Sequence, residues 1–341
     1  MGRLGRKTLR VGVIGARKKQ QGIGQYVARE LARHGATVCA LVGTQPETLA
    51  EAQSQLQAAY GITARGYLST EEMLQAESLD AVAICSPYAV HYQQLQACLQ
   101  AGVHVLCEKP LVFDPQRNCL TELKLLVEKF AAGGIVLMVN EQWPYTLPYF
   151  TQLYPQKELL TEPPQEMKMW LCPGSFGPRM IPDALPHVIS LLLAVTPCGG
   201  TVKQVQVQRV EGPLGQSTSS QINFEYQHTL GSCAVTAIFQ QVATQPRPAG
   251  YEFDNCPVRR TIYMPSYQMF LERGHPTESP SATAPVTSPS STALADPLGL
   301  LVDDFLDQAT QTEGKPLSPQ TALWDKLRLL QTVYSEVYTK L

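Results

Sequence analysis

Apolar and polar positions along the chain fall into short blocks whose period changes from two to about three and a half and back. Leu9 to Gly15 is an apolar run ending in glycine, and a helical repeat follows over 22–35. Further apolar runs at 36–42, 80–85, 103–107 and 134–140 read as strands, with helical stretches at 46–59, 88–101 and 115–132 between them. The runs D-A-V-A-I-C from Asp80 and G-I-V-L-M-V-N from Gly134 are almost continuously apolar, the pattern of parallel strands covered on both faces. Strand and helix in regular alternation predict a doubly wound parallel sheet of the Rossmann type.

Beyond about residue 160 the period shortens. Thr201–Val210 and Ser219–Gln240 alternate with period two, and His228-Thr229-Leu230-Gly231 supplies a turn inside the second run. That pattern predicts antiparallel strands forming a sheet with one open face, against which a helix from Asp183 to about Val195 packs. Residues 276–297 are mostly Pro, Ser, Thr and Ala, too poor in apolar surface to offset the entropy of ordering, and read as a flexible loop. Helices at 298–308 and 319–339 close the chain, the second with an apolar stripe through Leu323, Leu327, Leu330, Val333 and Tyr334. The fold class is therefore α/β: a parallel-sheet domain over 1–145 and an α+β domain with a mostly antiparallel open sheet over 146–341.

Three places carry candidate chemistry. In the first, a strand ends at Gly15 and a helix opens at Gly22-Ile23-Gly24, the arrangement in which backbone N–H groups and the positive end of a helix dipole hold a pyrophosphate. The usual compact glycine motif is stretched here by Ala16 to Gln21, which adds a basic lip of Arg17, Lys18 and Lys19; read alone, the segment is equally a surface loop before a helix. The second strand ends in Gly43-Thr44-Gln45, without the acid that usually bonds an NAD ribose. Thr44 can donate to a 2′-phosphate and Arg17 or Lys18 can neutralise it, so NADP is favoured, with NAD as the alternative.

The second place is V-H-V-L-C-E-K-P, where Pro110 keeps Lys109 out of the α region at the carboxyl end of a strand, the end where open α/β sheets bind ligands. Glu108, Lys109 and Pro110 join the cofactor-binding set, as do Cys85, Ser86 and Pro87 after the strand at 80–85 and His91 early in the next helix. Ser86 also reads as a helix cap, and Cys85 as a buried apolar residue rather than a nucleophile. In the third place, P-D-A-L-P-H, Asp183 and His187 are four apart and share a helical face. The bland alternative makes Asp183 an N-cap and His187 a packed histidine.

Taken together, the glycine loop, E-K-P after a later strand and D-x-x-x-H in the second half resemble the glucose-fructose oxidoreductase and inositol dehydrogenase (Gfo/Idh/MocA) family. The resemblance runs from about Leu9 to the C-terminus, where G-K-P-L-S-P-Q-T-A precedes a long helix. It implies a nicotinamide-dependent oxidoreductase with Lys109, Asp183 and His187 as its catalytic group, and self-association as a homodimer or homotetramer through the open C-terminal sheet. Where the family often has glycine two residues before this histidine, Leu185-Pro186 stands, bulk expected to reshape the substrate pocket, with Glu141, Gln142, Trp143, Tyr145, Trp170 and Arg179 as candidate lining.

Composition narrows the partners. A net charge of −2 from 27 basic and 29 acidic residues argues against binding nucleic acid or an acidic membrane through a basic face. No segment approaches the roughly 20 apolar residues of a membrane span, and the stretch after the N-terminal cations is too short for a signal peptide. Nine cysteines without C-x-x-C pairs indicate neither a zinc site nor a disulfide framework, so a cytoplasmic enzyme without metal is expected. The reaction expected is hydride transfer between nicotinamide and an alcohol or carbonyl carbon of a sugar, cyclitol or similar polar ring. The alternatives are reduction of a C=N or conjugated C=C bond, of imine or bilin type, and a dinucleotide-binding sensor without turnover.

Overall fold

The computed structural model describes residues 7–17, 22–159, 161–211, 217–242, 247–263, 268–275, 292–311 and 321–340. The chain folds as two compact units, 1–141 with 298–321 and 142–297 with 322–341.

In the first unit β1 (Arg10–Ile14), α1 (Gly24–Arg33), β2 (Thr37–Val42), α2 (Pro46–Tyr60), β3 (Arg65–Tyr67), α3 (Thr70–Ala76), β4 (Ala81–Ile84), α4 (His91–Ala101), β5 (His104–Cys107), α5 (Leu120–Ala132) and β6 (Leu137–Val139) follow one another. Among the described residues the six strands form one parallel sheet in the order β3-β2-β1-β4-β5-β6, the doubly wound order of dinucleotide-binding folds. Val11, Val13, Val82, Ala83, Ile84 and Val105 are fully buried, which is why these strands read as apolar runs rather than as alternation. Val27 and Leu31 of α1 and Phe130 of α5 are also fully buried.

The pattern missed β3 and α3. Three residues are too few to show a period, but α3 carried a readable start: Ser69 Oγ accepts from the Glu72 amide at 3.1 Å, and the Glu72 carboxylate accepts from the Leu68 amide at 3.2 Å. Helix α5 begins at Leu120 rather than 115 because Asp114 and Asn118 take up nearby amides, of Gln116 at 2.9 Å and Leu120 at 2.8 Å, holding the chain in turns. Likewise β6 is shorter than 134–140, since Gly134 adopts φ +66° and the Ile135 amide bonds back to Phe130 O at 2.9 Å, closing the helix end.

Glu30 of α1 is 0% exposed and is held by Arg29 Nε and Arg33 Nη1, each at 2.6 Å, so its buried charge is paired twice.

In the second unit α6 (Leu147–Leu153) leads to β7 (Glu166–Leu171), α7 (Met180–Val195) and the strands β8 (Thr201–Glu211), β9 (Ser217–His228), β10 (Gly231–Gln240), β11 (Ala249–Phe253), β12 (Cys256–Tyr263), β13 (Gln268–Arg273) and β14 (Thr292–Ala295). They form one sheet in the order β14-β13-β12-β11-β7-β10-β9-β8, antiparallel except for β7 with β10. The β9–β10 hairpin pairs His228 with Gly231, as the turn signal predicted. Met167, Met169, Val235, Ala237, Phe239, Ile222 and Phe224 are buried, as are Val188, Ile189 and Leu192 of α7, which lies against β7 and β10.

One boundary needs correcting. Of the segment 276–297 read as a flexible loop, 276–291 lie outside the described residues, but Thr292–Ala295 form strand β14, paired with β13 from Met269↔Ala295 to Glu272↔Thr292. Four small residues carry little strand signal of their own; the edge of β13 supplies the pairing. Helix α8 (Pro297–Gln311) then belongs from Leu298 onward to the first unit, where Asp303 lies 3.3 Å from His34 Nδ1. Helix α9 (Thr321–Tyr338) belongs to the second, with Leu329 and Val333 fully buried. No helix among the described residues is long and apolar enough to cross a membrane.

Because Phe130 is fully buried beneath the parallel sheet, Phe130→Ala is expected to destabilise the protein by about 3–5 kcal/mol, read as a lower urea midpoint with an unchanged slope.

Candidate active site

The glycine loop is built around two positions where backbone passes too close for a side chain. Gly15 has φ +82°, donates its amide to Val42 O at 3.0 Å, and a Cβ placed on it would lie 2.8 Å from Cys85 O and 3.0 Å from Ser86 N. A Cβ on Gly24 would overlap Gly15 O and come 2.9 Å from Ala16 Cα. The ends of β1, β2 and β4 and the first residue of α1 therefore converge on Gly15, the approach a pyrophosphate site needs if amides are to face the ligand. Gly22 and Ile23 precede the helix and are half-buried, and Ala16 is buried. Lys18 and Lys19 lie outside the described residues.

Arg17 does not hang free: its Nε is 2.9 Å from Glu51 Oε2 on α2, with both side chains more than a third exposed. This carries the guanidinium toward the helix that follows Gly43 and Thr44. Thr44 is exposed, and Gly43 packs against Leu49, whose Cβ would be 3.2 Å from a methyl at that position. Sequence reading gave no hint of Glu51, because its partner is distant in the chain.

The loops after β4 and β5 are tied together. His91, 0% exposed, places Nδ1 3.0 Å from Pro110 O and Nε2 2.8 Å from Ser86 O. Burial holds its pKa below the ordinary histidine value, while the carbonyls of Ser86, Pro110 and Leu111 push it upward. Gln94, one turn along α4, accepts from the Ser86 hydroxyl at 2.6 Å, and Tyr88 meets Phe113 edge-on with ring centres 5.7 Å apart. Asn140 Nδ2 donates to Glu108 Oε1, and the Glu108 amide donates to Ile84 O at 2.8 Å. Lys109 is half-buried between these anchors, and the Lys109–Pro110 peptide is cis. Burial, with a further push from Glu108, raises the Cys85 thiol well above its ordinary pKa, which removes it as a nucleophile at neutral pH.

In the second unit α7 begins at Met180, three residues before the predicted start, with Arg179 at its N-cap position. Asp183 is therefore inside the first turn and is not the cap. The Ser175 hydroxyl lies 3.1 Å from Asp183 Oδ2 and 3.0 Å from Arg179 O, both acceptors. Asp183 and His187 are both half-buried on one stripe of a helix otherwise buried almost all round. Pro186 between them lacks the amide that would reach Pro182 O. Leu185, expected to reshape the pocket, is fully buried.

The remaining lining candidates separate by burial. Trp143 is 5% exposed, edge-on to Tyr251 at 5.9 Å and covered by Arg260 at 5.4 Å, so it belongs to an aromatic cluster with Phe150 and Phe253. Glu141 is buried, Gln142 and Tyr145 are half-buried, and Arg179 is exposed. Trp170 stands edge-on to His275 at 5.3 Å. Asn140, Gln94, Glu51 and Ser175, which support the candidate residues, had no signal in the sequence beyond polar character.

Fold and strand-end loops together define a protein built on a dinucleotide-binding doubly wound unit. Residues 9–141 of the chain match the family described as "Oxidoreductase family, NAD-binding Rossmann fold" (GFO_IDH_MocA). It is 35% identical over 125 residues to a D-glucoside 3-dehydrogenase of Escherichia coli, covering 34% of this chain and 32% of that one. It is 33% identical over 90 residues to a scyllo-inositol 2-dehydrogenase (NADP(+)) of Bacillus subtilis, covering 26% of each. The chain thus spans a third or less of the length of these relatives, 32% and 26%. The solved structure of UDP-N-acetylglucosamine 3-dehydrogenase from Acidithiobacillus ferrooxidans has the same fold, with a TM-score of 0.66, 19% identity, and coverage of 98% of this chain and 99% of that one.

The Gly15 contacts generate a test. Gly15→Ala meets backbone and a left-handed φ, and is expected to lower stability by more than about 1 kcal/mol and to weaken dinucleotide binding. Gly12→Ala meets side-chain ends rather than backbone, Met73 Sδ at 2.7 Å and Leu79 Cδ1 at 3.0 Å, and should cost less; thermal melts with and without NADPH compare the two.

Proposed function

We propose that the protein is an NADP(H)-dependent oxidoreductase acting at a hydroxyl- or carbonyl-bearing carbon of a sugar, cyclitol or related polar ring. One observation carries the reading: the backbone cradle at Gly15 and Gly24 and the anchored Lys109 loop both lie at the carboxyl ends of parallel strands, beside the point where the strand order reverses between β1 and β4. The cradle fits a pyrophosphate because a Cβ at either glycine would strike backbone. The absence of an acid at Gly43-Thr44-Gln45, and an arginine reaching α2, favour a 2′-phosphate over a free ribose hydroxyl pair. The sugar and inositol dehydrogenases among the relatives support a polar ring substrate.

When bound, the nicotinamide accepts or supplies the hydride. On oxidation of an alcohol, His187 takes the hydroxyl proton and returns it in the reverse direction, a task suited to an imidazole whose unperturbed pKa is ~6.5. Asp183, held by Ser175, orients the polar group, and Lys109 donates to the reacting oxygen, stabilising negative charge as the proton leaves. The backbone amides of the glycine loop hold phosphate, and Thr44 with Arg17 recognises the 2′-phosphate. The outward face of the second unit's sheet pairs with another copy, and a cytoplasmic location accords with nine unpaired thiols.

Two measurements test this reading. NADPH is expected to bind more tightly than NADH, and Thr44→Asp to erode the preference by roughly tenfold, the effect of about 1.4 kcal/mol of like-charge repulsion; equal or tighter NADH binding by the parent protein overturns the NADP assignment. The second follows NADPH absorbance across polyols, nucleotide sugars, imines and bilins. With an alcohol or carbonyl substrate, His187→Ala should lower turnover by about 10²- to 10⁴-fold with little change in cofactor affinity, Lys109→Met comparably, and the pair less than additively. Near-normal turnover in His187→Ala points instead to a C=N or C=C reductase, and tight NADPH binding without any hydride transfer to a sensor.

A further inference from the structure

The hydrogen bonds of His91 reach both loops that flank the proposed nicotinamide end of the first unit, and its side chain is sealed from solvent. Its Nδ1 is 3.0 Å from Pro110 O, immediately after Lys109, and its Nε2 is 2.8 Å from Ser86 O. Both oxygens only accept. A neutral imidazole carries one N–H and donates to one of them, whereas an imidazolium donates to both. The ring is rooted in the first turn of α4, whose Gln94 fixes the other end of Ser86 by accepting from its hydroxyl at 2.6 Å. Tyr88 against Phe113 adds a second, apolar tie between the same loops. A side chain buried this completely contributes no direct contact to a ligand, although its place after the Cys85-Ser86-Pro87 loop suggests one.

We infer that His91 is a positioning residue: its Nδ1–H tautomer fixes the Pro110 peptide and with it the direction in which Lys109 leaves β5, and its Nε2–H tautomer fixes the Ser86 peptide that borders the dinucleotide. The inference deepens the proposed roles of Lys109 and the dinucleotide loop and rests on them. It assigns separate tasks to the two ring nitrogens. An asparagine amide mimics Nδ1, and a glutamine amide mimics Nε2, so the two tasks can be separated with variants that each keep a donor in the buried space.

The experiment compares His91→Asn and His91→Gln by two readouts that need no substrate. One is the NADPH dissociation constant from fluorescence titration. The other is the carbon-13 signal of Lys109 after reductive methylation with labelled formaldehyde, identified by its loss in Lys109→Met. His91→Asn should leave the Lys109 signal in place and weaken NADPH binding by up to about tenfold, the scale of one buried hydrogen bond. His91→Gln should shift the Lys109 signal and keep NADPH affinity within about threefold of the parent. A general packing role would move both readouts together in both variants; that result, or parental values in both, overturns the inference. If the parent protein binds neither NADPH nor NADH, the dinucleotide reading fails, and the Lys109 signal alone still decides what His91 does.

Discussion

Gly15 has no room for a side chain, and the geometry of the first unit's loops follows from that. Its amide is spent on Val42 O, its own carbonyl lies against the first residue of α1, and its Cα faces the Cys85–Ser86 peptide. Three strand ends and a helix start are thereby drawn to one point. Any residue with a Cβ would push the β4 loop away, and with it Ser86, which His91 links to Pro110. Close backbone approach at a single glycine is thus transmitted by hydrogen bonds to the loop of the proposed catalytic lysine.

The polar supports are of two kinds, and burial decides their weight. Arg17 with Glu51 is an exposed pair of the sort that contributes about 0–1 kcal/mol, so a bound phosphate group can compete with Glu51 for the guanidinium at little expense. His91 and Glu30 are sealed, and an uncompensated polar atom at either costs far more than an exposed pair returns. The loops are therefore stiff where they are held from beneath, and adjustable where a ligand's outer groups are to be recognised.

The second unit shows how helix α7 reconciles a core role with a polar stripe. Nearly every other position of the helix is buried, leaving Asp183 and His187 on the one half-exposed strip near its start. Two prolines lie in or next to this strip, Pro182 within the first turn, where the missing amide costs nothing, and Pro186, where it leaves Pro182 O without its helical donor. The earlier helix start turned an apparent cap into a first-turn carboxylate at the positive end of the helix dipole, a position that favours its charge.

Period and punctuation in the sequence were enough for five of the six parallel strands, the β9–β10 hairpin and the residues that face each other on α7, because each depends on spacing within one short segment. Glycine at Gly15 and proline at Pro110 were legible for the same reason: each restricts its own backbone whatever surrounds it. What the sequence did not contain was pairing between distant segments. The edge strand β14 exists because β13 offers it partners, Trp143 is core because Tyr251 and Arg260 enclose it, and Arg17 finds Glu51 across a helix. Above all His91, indistinguishable in the sequence from a residue that touches cofactor, is turned inward by two carbonyls that only the tertiary fold brings to its ring. Local conformational preference is a property of a few consecutive residues, whereas burial and hydrogen-bond partnership are set by which segments the completed fold places side by side.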